Sequence, residues 1–321
     1  MLRGIHKVCI GVAAFIEPTE HLKQFEAVLR WFGKDLAKIH IVSVLNPEDL
    51  GLSQDLVDQA WSDKIRKLAL ENLRHRFSDS QLSLKFEMNL LVQSTTSKSG
   101  TVKKFADFAG EHHADLLIVH SHTKSALRSF IGSFCEKLLH QSDIPIVVLP
   151  CEMKNLKSLM PMKAILFPTD FSELSKRVYR SVVAMAQTMG AQIILYHRLA
   201  RPIDEILQVA MHPMKSRVVM PSDLVMLTEL EMRQQAEEWI QWAALRACKV
   251  SFKMDSKTLS LPGAILAQAV SQQVQMIALP SHTSAHDIPS LGSAVHQVIR
   301  KSKVPVLVIP VPYTPPGDWR E

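Results

Sequence analysis

Asp170 and Ser172 stand two residues apart, just after the apolar run Ala164–Phe167. A carboxylate beside a hydroxyl is the material of acid or nucleophile chemistry. No base, oxyanion-binding loop or paired carboxylate accompanies them, so they do not assemble a catalytic set. Ser172 is explained as a helix N-cap whose hydroxyl takes a free backbone N–H. Histidines form a second group. His122 and His282 hold the same place in two S-H-T segments. Each either contacts a phosphate or hydrogen-bonds backbone to shape a turn, and turn-shaping is the favoured reading. His120-Ser121-His122 and the pair His112, His113 invite a zinc reading. Adjacent residues do not give tetrahedral ligand spacing, and no cysteine cluster completes a set, so no metal site is expected. A third group is methionine-rich: Met211, Met214, Met220 and Met226, interleaved with Pro213 and Pro221. Such a surface adapts to irregular apolar partners. It either grips a small apolar ligand or protein near Met211–Met226, or packs against the other half of the chain.

The elements that position these groups are those of an ordinary globular chain. Apolar residues make up 47% and charged residues 21%, which excludes a disordered polymer. No apolar run reaches the ~18 residues of a membrane-spanning helix. The net charge of +6 divides into +1 for residues 1–156 and +5 for the remainder, with no dense Lys/Arg block. An anionic ligand is compatible with that surplus, but with only 6% aromatic residues to stack on bases, nucleic acid is not expected. Cys9, Cys135, Cys151 and Cys248 lack CxxC spacing and read as free thiols in a reducing cytoplasm. Arg3 and Lys7 precede a short apolar run that resembles a signal segment, but Glu17-Pro18 follows and the run reads as a first buried strand.

The chain carries one pattern twice. Val119–Pro150 and Leu279–Pro310 align without a gap at an offset of 160, with nine of 32 positions identical, including Gly132 with Gly292 and Pro145 with Pro305. Each copy alternates strands and helices. In the second copy, strands are expected at Ala164–Phe167, Gln192–His197, Val250–Met254, Met276–Leu279 and Val304–Ile309. Ser172 caps the first helix, Gly190 suits its C-terminal turn, and Pro262 suits the first turn of a later one. In the first copy, strands are expected at Lys7–Val12, Ile39–Leu45, Leu82–Met88, Leu116–Val119 and Ile144–Leu149. Strands separated by helices imply parallel sheets covered on both faces. The fold class is therefore α/β: two tandem, doubly wound, five-stranded domains, residues 1–156 and 157–321, with a boundary near the polar stretch Cys151–Pro161.

The second copy opens KAILFPTDFSELS (Lys163–Ser175), continues GAQIILYHRL (Gly190–Leu199) and closes GSAVHQVIRKSKVPVLVIP (Gly292–Pro310). Taken with the S-H-T segment, this resembles the universal stress protein family, and the whole chain is similar to its tandem members. The resemblance implies an adenine nucleotide alpha hydrolase-like fold with domains paired through their last strands. Some members bind ATP and some do not. Binders carry glycine, two residues, glycine, nine residues, then glycine-Ser/Thr. The glycines admit backbone to the phosphates, and the final pair opens a helix whose free N–H groups favour an anion. Here His120 or Pro280 stands for the first glycine and Thr123 or Thr283 for the second, and eight residues rather than nine follow. The resemblance carries a nucleotide or anion site of the second domain onto Pro168, Thr169, Asp170, Arg198, His282, Thr283, Gly292 and Ser293, with Asp170 toward adenine. Its remnant in the first domain is Gly132 and Ser133, and Ala14 stands where Asp170 would.

The last strand of each copy is short, apolar and preceded by proline, an edge that invites pairing. Both being on one chain, Ile146–Leu149 is expected against Val306–Ile309. Further pairing into a homodimer stays open. The expected function is a non-enzymatic, cytoplasmic stress-response protein acting by ligand or partner binding, with no required cofactor. The alternative is a sensor holding ATP, ADP or AMP in the second domain, with a weak ATPase behind it.

Overall fold

The structure is a computed structural model that describes residues 5–12, 19–45, 59–77, 86–92, 98–121, 133–150, 153, 161–199, 222–256, 260–281 and 292–311. The first copy runs β1 (Lys7–Gly11), α1 (Thr19–Leu29), a 3₁₀ segment (Arg30–Asp35), β2 (Lys38–Leu45), α2 (Gln59–Phe77), β3 (Phe86–Val92), α3 (Lys98–Glu111), β4 (Leu116–His120), α4 (Ser133–Gln141) and β5 (Ile146–Leu149). The second runs β6 (Ala164–Pro168), α5 (Glu173–Met189), β7 (Gln192–Arg198), α6 (Ser222–Ala244), β8 (Val250–Asp255), α7 (Leu261–Ser271), β9 (Met276–Pro280), α8 (Ser293–Lys301) and β10 (Val306–Ile309). The expected boundary near Cys151–Pro161 falls largely outside the described residues, as do Leu82 and Leu84.

All ten strands form one sheet in the order β3-β2-β1-β4-β5-β10-β9-β6-β7-β8. Pairing is parallel within each copy and antiparallel only between β5 and β10. Val306 faces Val148, Leu307 faces Val147, and Val308 faces Ile146. Val147 and Leu307 are equivalent positions of the repeat, so each faces its own twin and the register is that of a local twofold. The same relation sets Glu136 of α4 against its equivalent His296 of α8, 3.6 Å apart.

Alternation along the strands sends side chains to two apolar layers. Val8, Ile10, Val147, Leu149, Leu307 and Ile309 share one layer with α1, α2, α5 and α6. Cys9, Ile146, Val148, Val306 and Val308 share the other with α3, α4, α7 and α8. Both layers run unbroken across the β5–β10 seam.

Several local devices recur in both copies. Asp115 Oδ2 accepts the N–H groups of His6 and Lys7, at 2.9 Å each. Its equivalent Gln275 Oε1 accepts those of Lys163 and Ala164, at 3.0 and 2.9 Å. Each clamp fixes the entry to a first strand. His113 and its equivalent Gln273 both take positive φ, 52° and 50°, at a helix exit. Ser142 Oγ donates to the Ile144 carbonyl and accepts its N–H, and Ser302 does the same with Val304. That serine loop holds Ile144 and Val304 out of the ladder, so the last strands begin at Ile146 and Val306 rather than where the apolar runs begin.

Candidate functional site

The strand order of the second copy reverses between β6 and β9, and in open α/β sheets ligands lodge at such a reversal, beyond the carboxyl ends of the strands. The segment leaving β6 is held tightly. Thr169 N–H donates to the Tyr196 carbonyl at 2.9 Å, extending the β6–β7 ladder by one bond. Thr169 Oγ1 accepts the Phe171 N–H at 2.9 Å, and His197 Nδ1 donates to the Thr169 carbonyl at 2.8 Å. Phe171 adopts φ 59°, a left-handed conformation that costs a bulky residue about 1–2 kcal/mol. Its ring packs on Trp239, Phe252 and His197, which offsets that strain.

This turn delivers Asp170. Its Oδ1 accepts the Ser172 N–H at 3.0 Å, the Ser172 hydroxyl at 2.7 Å and the Ser175 hydroxyl at 2.6 Å. Ser172 in turn caps α5 by accepting the Ser175 N–H. Oδ2 has no hydrogen-bond partner among the described residues. Partial burial pushes the Asp170 carboxyl up, but the donors on Ser175 and Ser172 outweigh it and hold it below the ordinary carboxylate value. Toward the described residues the group is thus an oriented carboxylate with one oxygen satisfied and one open.

Across the reversal, β9 ends at Pro280 and Gly292 N–H donates to the Ser281 carbonyl at 3.2 Å. Gly292 is the N-cap of α8 and offers no side-chain cap, so the first-turn N–H groups around Ser293 gain none from it. Its φ is −57°, and among the described residues a Cβ there would meet only Val295 at 3.7 Å and the Ser281 carbonyl at 3.9 Å. Neither backbone strain nor packing against the described residues therefore demands glycine at this position. Arg198 ends β7 opposite Asp255 in the β7–β8 register, and Asp255 accepts the buried Tyr196 hydroxyl at 3.0 Å. Burial and the Asp255 carboxylate both push the Tyr196 phenol up. Pro168 closes β6 and is buried. His282, Thr283 and Gly132 lie outside the described residues, and Ser133 is described only as the first residue of α4.

The first copy fills the corresponding place differently. His120, at the end of β4, stacks on His21 of α1 with ring centroids 3.8 Å apart and takes the edge of Phe25 at 4.7 Å. Neither His120 nitrogen makes a hydrogen bond of good geometry. The β1–β6 equivalence (Val8 with Ile165) has an offset of 157, whereas α1 and α5 start 154 residues apart. The loop after β1 is therefore three residues longer than that after β6, and Ala14, the expected counterpart of Asp170, lies outside the described residues. Sequence reasoning found Asp170 and Ser172 but missed Ser175, although the S-x-x-S spacing after the aspartate signals it. It also missed His21, which belongs to no motif.

The family model of the universal stress proteins matches the chain twice, over residues 16–150 and 161–310. The chain belongs to the universal stress protein family. Among solved structures, a chain named as a universal stress protein from Pseudomonas aeruginosa UCBPP-PA14 matches with a TM-score of 0.60 at 11% identity, over 96% of this chain and 94% of that one. A protein of unknown function from Pseudomonas aeruginosa PAO1 matches with the same values. A universal stress protein from Archaeoglobus fulgidus DSM 4304 matches with a TM-score of 0.56 at 16% identity, over 95% of this chain and 96% of that one. These likenesses are of fold, and they extend over both domains. No curated protein sequence matches the chain. Among the described residues, no helix is long and apolar enough to cross a membrane, and no cluster of three or more histidine, cysteine or acidic side chains is arranged to hold a metal.

Proposed function

We propose that this universal stress protein works by binding rather than by catalysis, and that its second domain (157–321) carries the ligand site. The observation behind this reading is the contrast between the two domains. In the second, Asp170 presents an open carboxylate oxygen at the strand-order reversal, across from the uncapped start of α8. In the first, two imidazoles and a phenyl ring fill the corresponding place. A lone acceptor oxygen facing helix N–H groups suits a ligand with an amine donor at one end and an anion at the other. Adenine nucleotides have that form, with the exocyclic amine toward Asp170 and phosphate toward Gly292 and Ser293. Pro280 lacks an N–H and Thr283 carries a Cβ where close phosphate approach needs neither. One phosphate is therefore better served than three, and AMP is favoured over ADP and ATP. Arg198, Pro168, Thr169 and His282 frame the site in this reading, and no metal or resident cofactor is needed. The three described cysteines are buried free thiols, in keeping with a cytoplasmic setting.

Calorimetry on the full chain tests this with AMP, ADP and ATP in turn. AMP is expected to bind at least as tightly as ATP. Asp170→Ala is expected to abolish that heat. Gly292→Ala is expected to weaken binding while costing less than about 1 kcal/mol of stability. Absence of heat with all three nucleotides refutes the reading. A second reading, an apolar ligand or partner at Met211–Met226, draws on the exposed row Met226, Leu227 and Leu230, with Met226 74% exposed. Retention of binding to an apolar dye after Met226→Ser would count against it.

A further inference from the structure

Three histidines are buried among the described residues, His21, His40 and His120, and all three belong to domain 1. With the half-buried His112 they form two separate pairs. His120 of β4 stacks on His21 of α1 at 3.8 Å, with Phe25 against its edge. His40 of β2 meets the edge of His112 at 4.7 Å, and His112 stacks on Phe108 of α3 at 3.9 Å. The repeat equivalences give non-titrating residues at all four positions of domain 2. Strand register equates His40 with Ile194, and the offset of 160 equates His112 with Gln272 and His120 with Pro280. The helix starts equate His21 with Ser175 and, in the same alignment, Phe25 with Tyr179, both fully buried. Neither described histidine of domain 2, His197 or His296, is fully buried.

We propose that domain 1 is the proton-responsive half of the molecule, loosened by mild acid through the His21–His120 and His40–His112 pairs while domain 2 stays closed. The physical reason is desolvation and like charge. A protonated ring needs water or an acceptor at each nitrogen, and both nitrogens of His120 are enclosed without a well-formed bond. The backbone of His21 and of Leu149 in β5 lies near enough to favour a ring proton, but burial and the facing His21 ring outweigh it. Their joint effect holds His120 well below the ordinary histidine value. Among the described residues, His21 is the one titratable group acting on His120 by charge. His40 is also lowered, first by burial. Glu87 of β3, 3.4 Å from His40 Nδ1, opposes that, while His112 just after α3, Lys38 of β2 and Lys7 of β1 reinforce it. Among the described residues His40 thus has a carboxylate to receive its proton and His120 has none, so the His21–His120 stack is the steeper of the two.

The sign follows from linkage. A histidine kept neutral in the fold and free to charge when unfolded contributes stability above about pH 6.5 that is lost as pH falls from there toward its folded value. Each such histidine lowers the folding constant up to about tenfold per pH unit in that window. Hydrogen exchange on the full chain at pH 7.5 and 5.5, corrected for intrinsic rates, reads each domain separately. Peptides of α1 and β4 are expected to lose about tenfold or more in protection, and those of α5 and β9 to hold. Equal loss in both domains, or none in domain 1, overturns the proposal. A second measurement is the urea midpoint of His120→Leu, which is expected to lose much of its difference between pH 8 and 5.5. A pH difference as large as that of the parent chain overturns it too.

Discussion

Truncating Leu307 to alanine tests whether the two domains share one core. Leu307 is fully buried and lies at the local twofold, facing Val147 across the antiparallel seam. It belongs to the apolar layer that also holds Val147, Leu149 and Ile165. Removing a buried leucine side chain costs about 2–5 kcal/mol. With a urea slope of about 3 kcal/mol/M, a cost of 3 kcal/mol moves the midpoint by about 1 M. Val147→Ala should cost about 1.5–3 kcal/mol by lost burial. The two side chains are direct cross-strand neighbours, so the double variant should depart from additivity by about 0.5 kcal/mol or more. The assay is urea unfolding followed by tryptophan fluorescence, since Trp31 in domain 1 and Trp239 in domain 2 are both buried reporters. Hydrogen exchange then shows whether β4 and β9 weaken together. A shared core is refuted if Leu307→Ala costs under about 1 kcal/mol, if the pair is additive, or if domain 2 alone responds.

Two further outcomes are expected. Burial pushes the Cys9 thiol up to about 12 and the Cys248 thiol up to about 11, so both should resist iodoacetamide at pH 8 in the folded chain and react once it is unfolded, as mapped by peptide mass spectrometry. Asp115→Ala and Gln275→Ala each leave two strand-entry N–H groups without their acceptor, and each should cost about 1–3 kcal/mol with faster exchange at the start of β1 or β6 respectively.

The duplication, the alternation of strands with helices and the seam were legible because they rest on local patterns. An offset of 160 and a short apolar run after a proline survive in the sequence itself. Gly190 was legible for the same kind of reason: its φ of 65° is one that glycine adopts freely. Phe171 takes a similar φ and gave no sign, because what stabilises it is a ring cluster drawn from β7, α6 and β8. The Asp115 and Gln275 clamps were equally hidden. Each joins residues more than 100 positions apart, and neither residue type announces an acceptor for strand N–H groups. At the site, Asp170 and its cap could be read from order along the chain. That one carboxylate oxygen is taken and the other open could not, since it depends on where the Ser175 hydroxyl points. The repeated S-H-T segment points to His122 and His282, whereas the buried ring of interest is His120, whose partner His21 sits 99 residues earlier.

The seam between β5 and β10 also settles how such a chain can associate. A single module can pair only once through its last strand, like a half-snap. Two modules fused and snapped to each other have spent that valence internally. Any larger assembly must then engage an outer rim, at β3 or β8, or the helical faces, and cannot reuse the contact that built the pair.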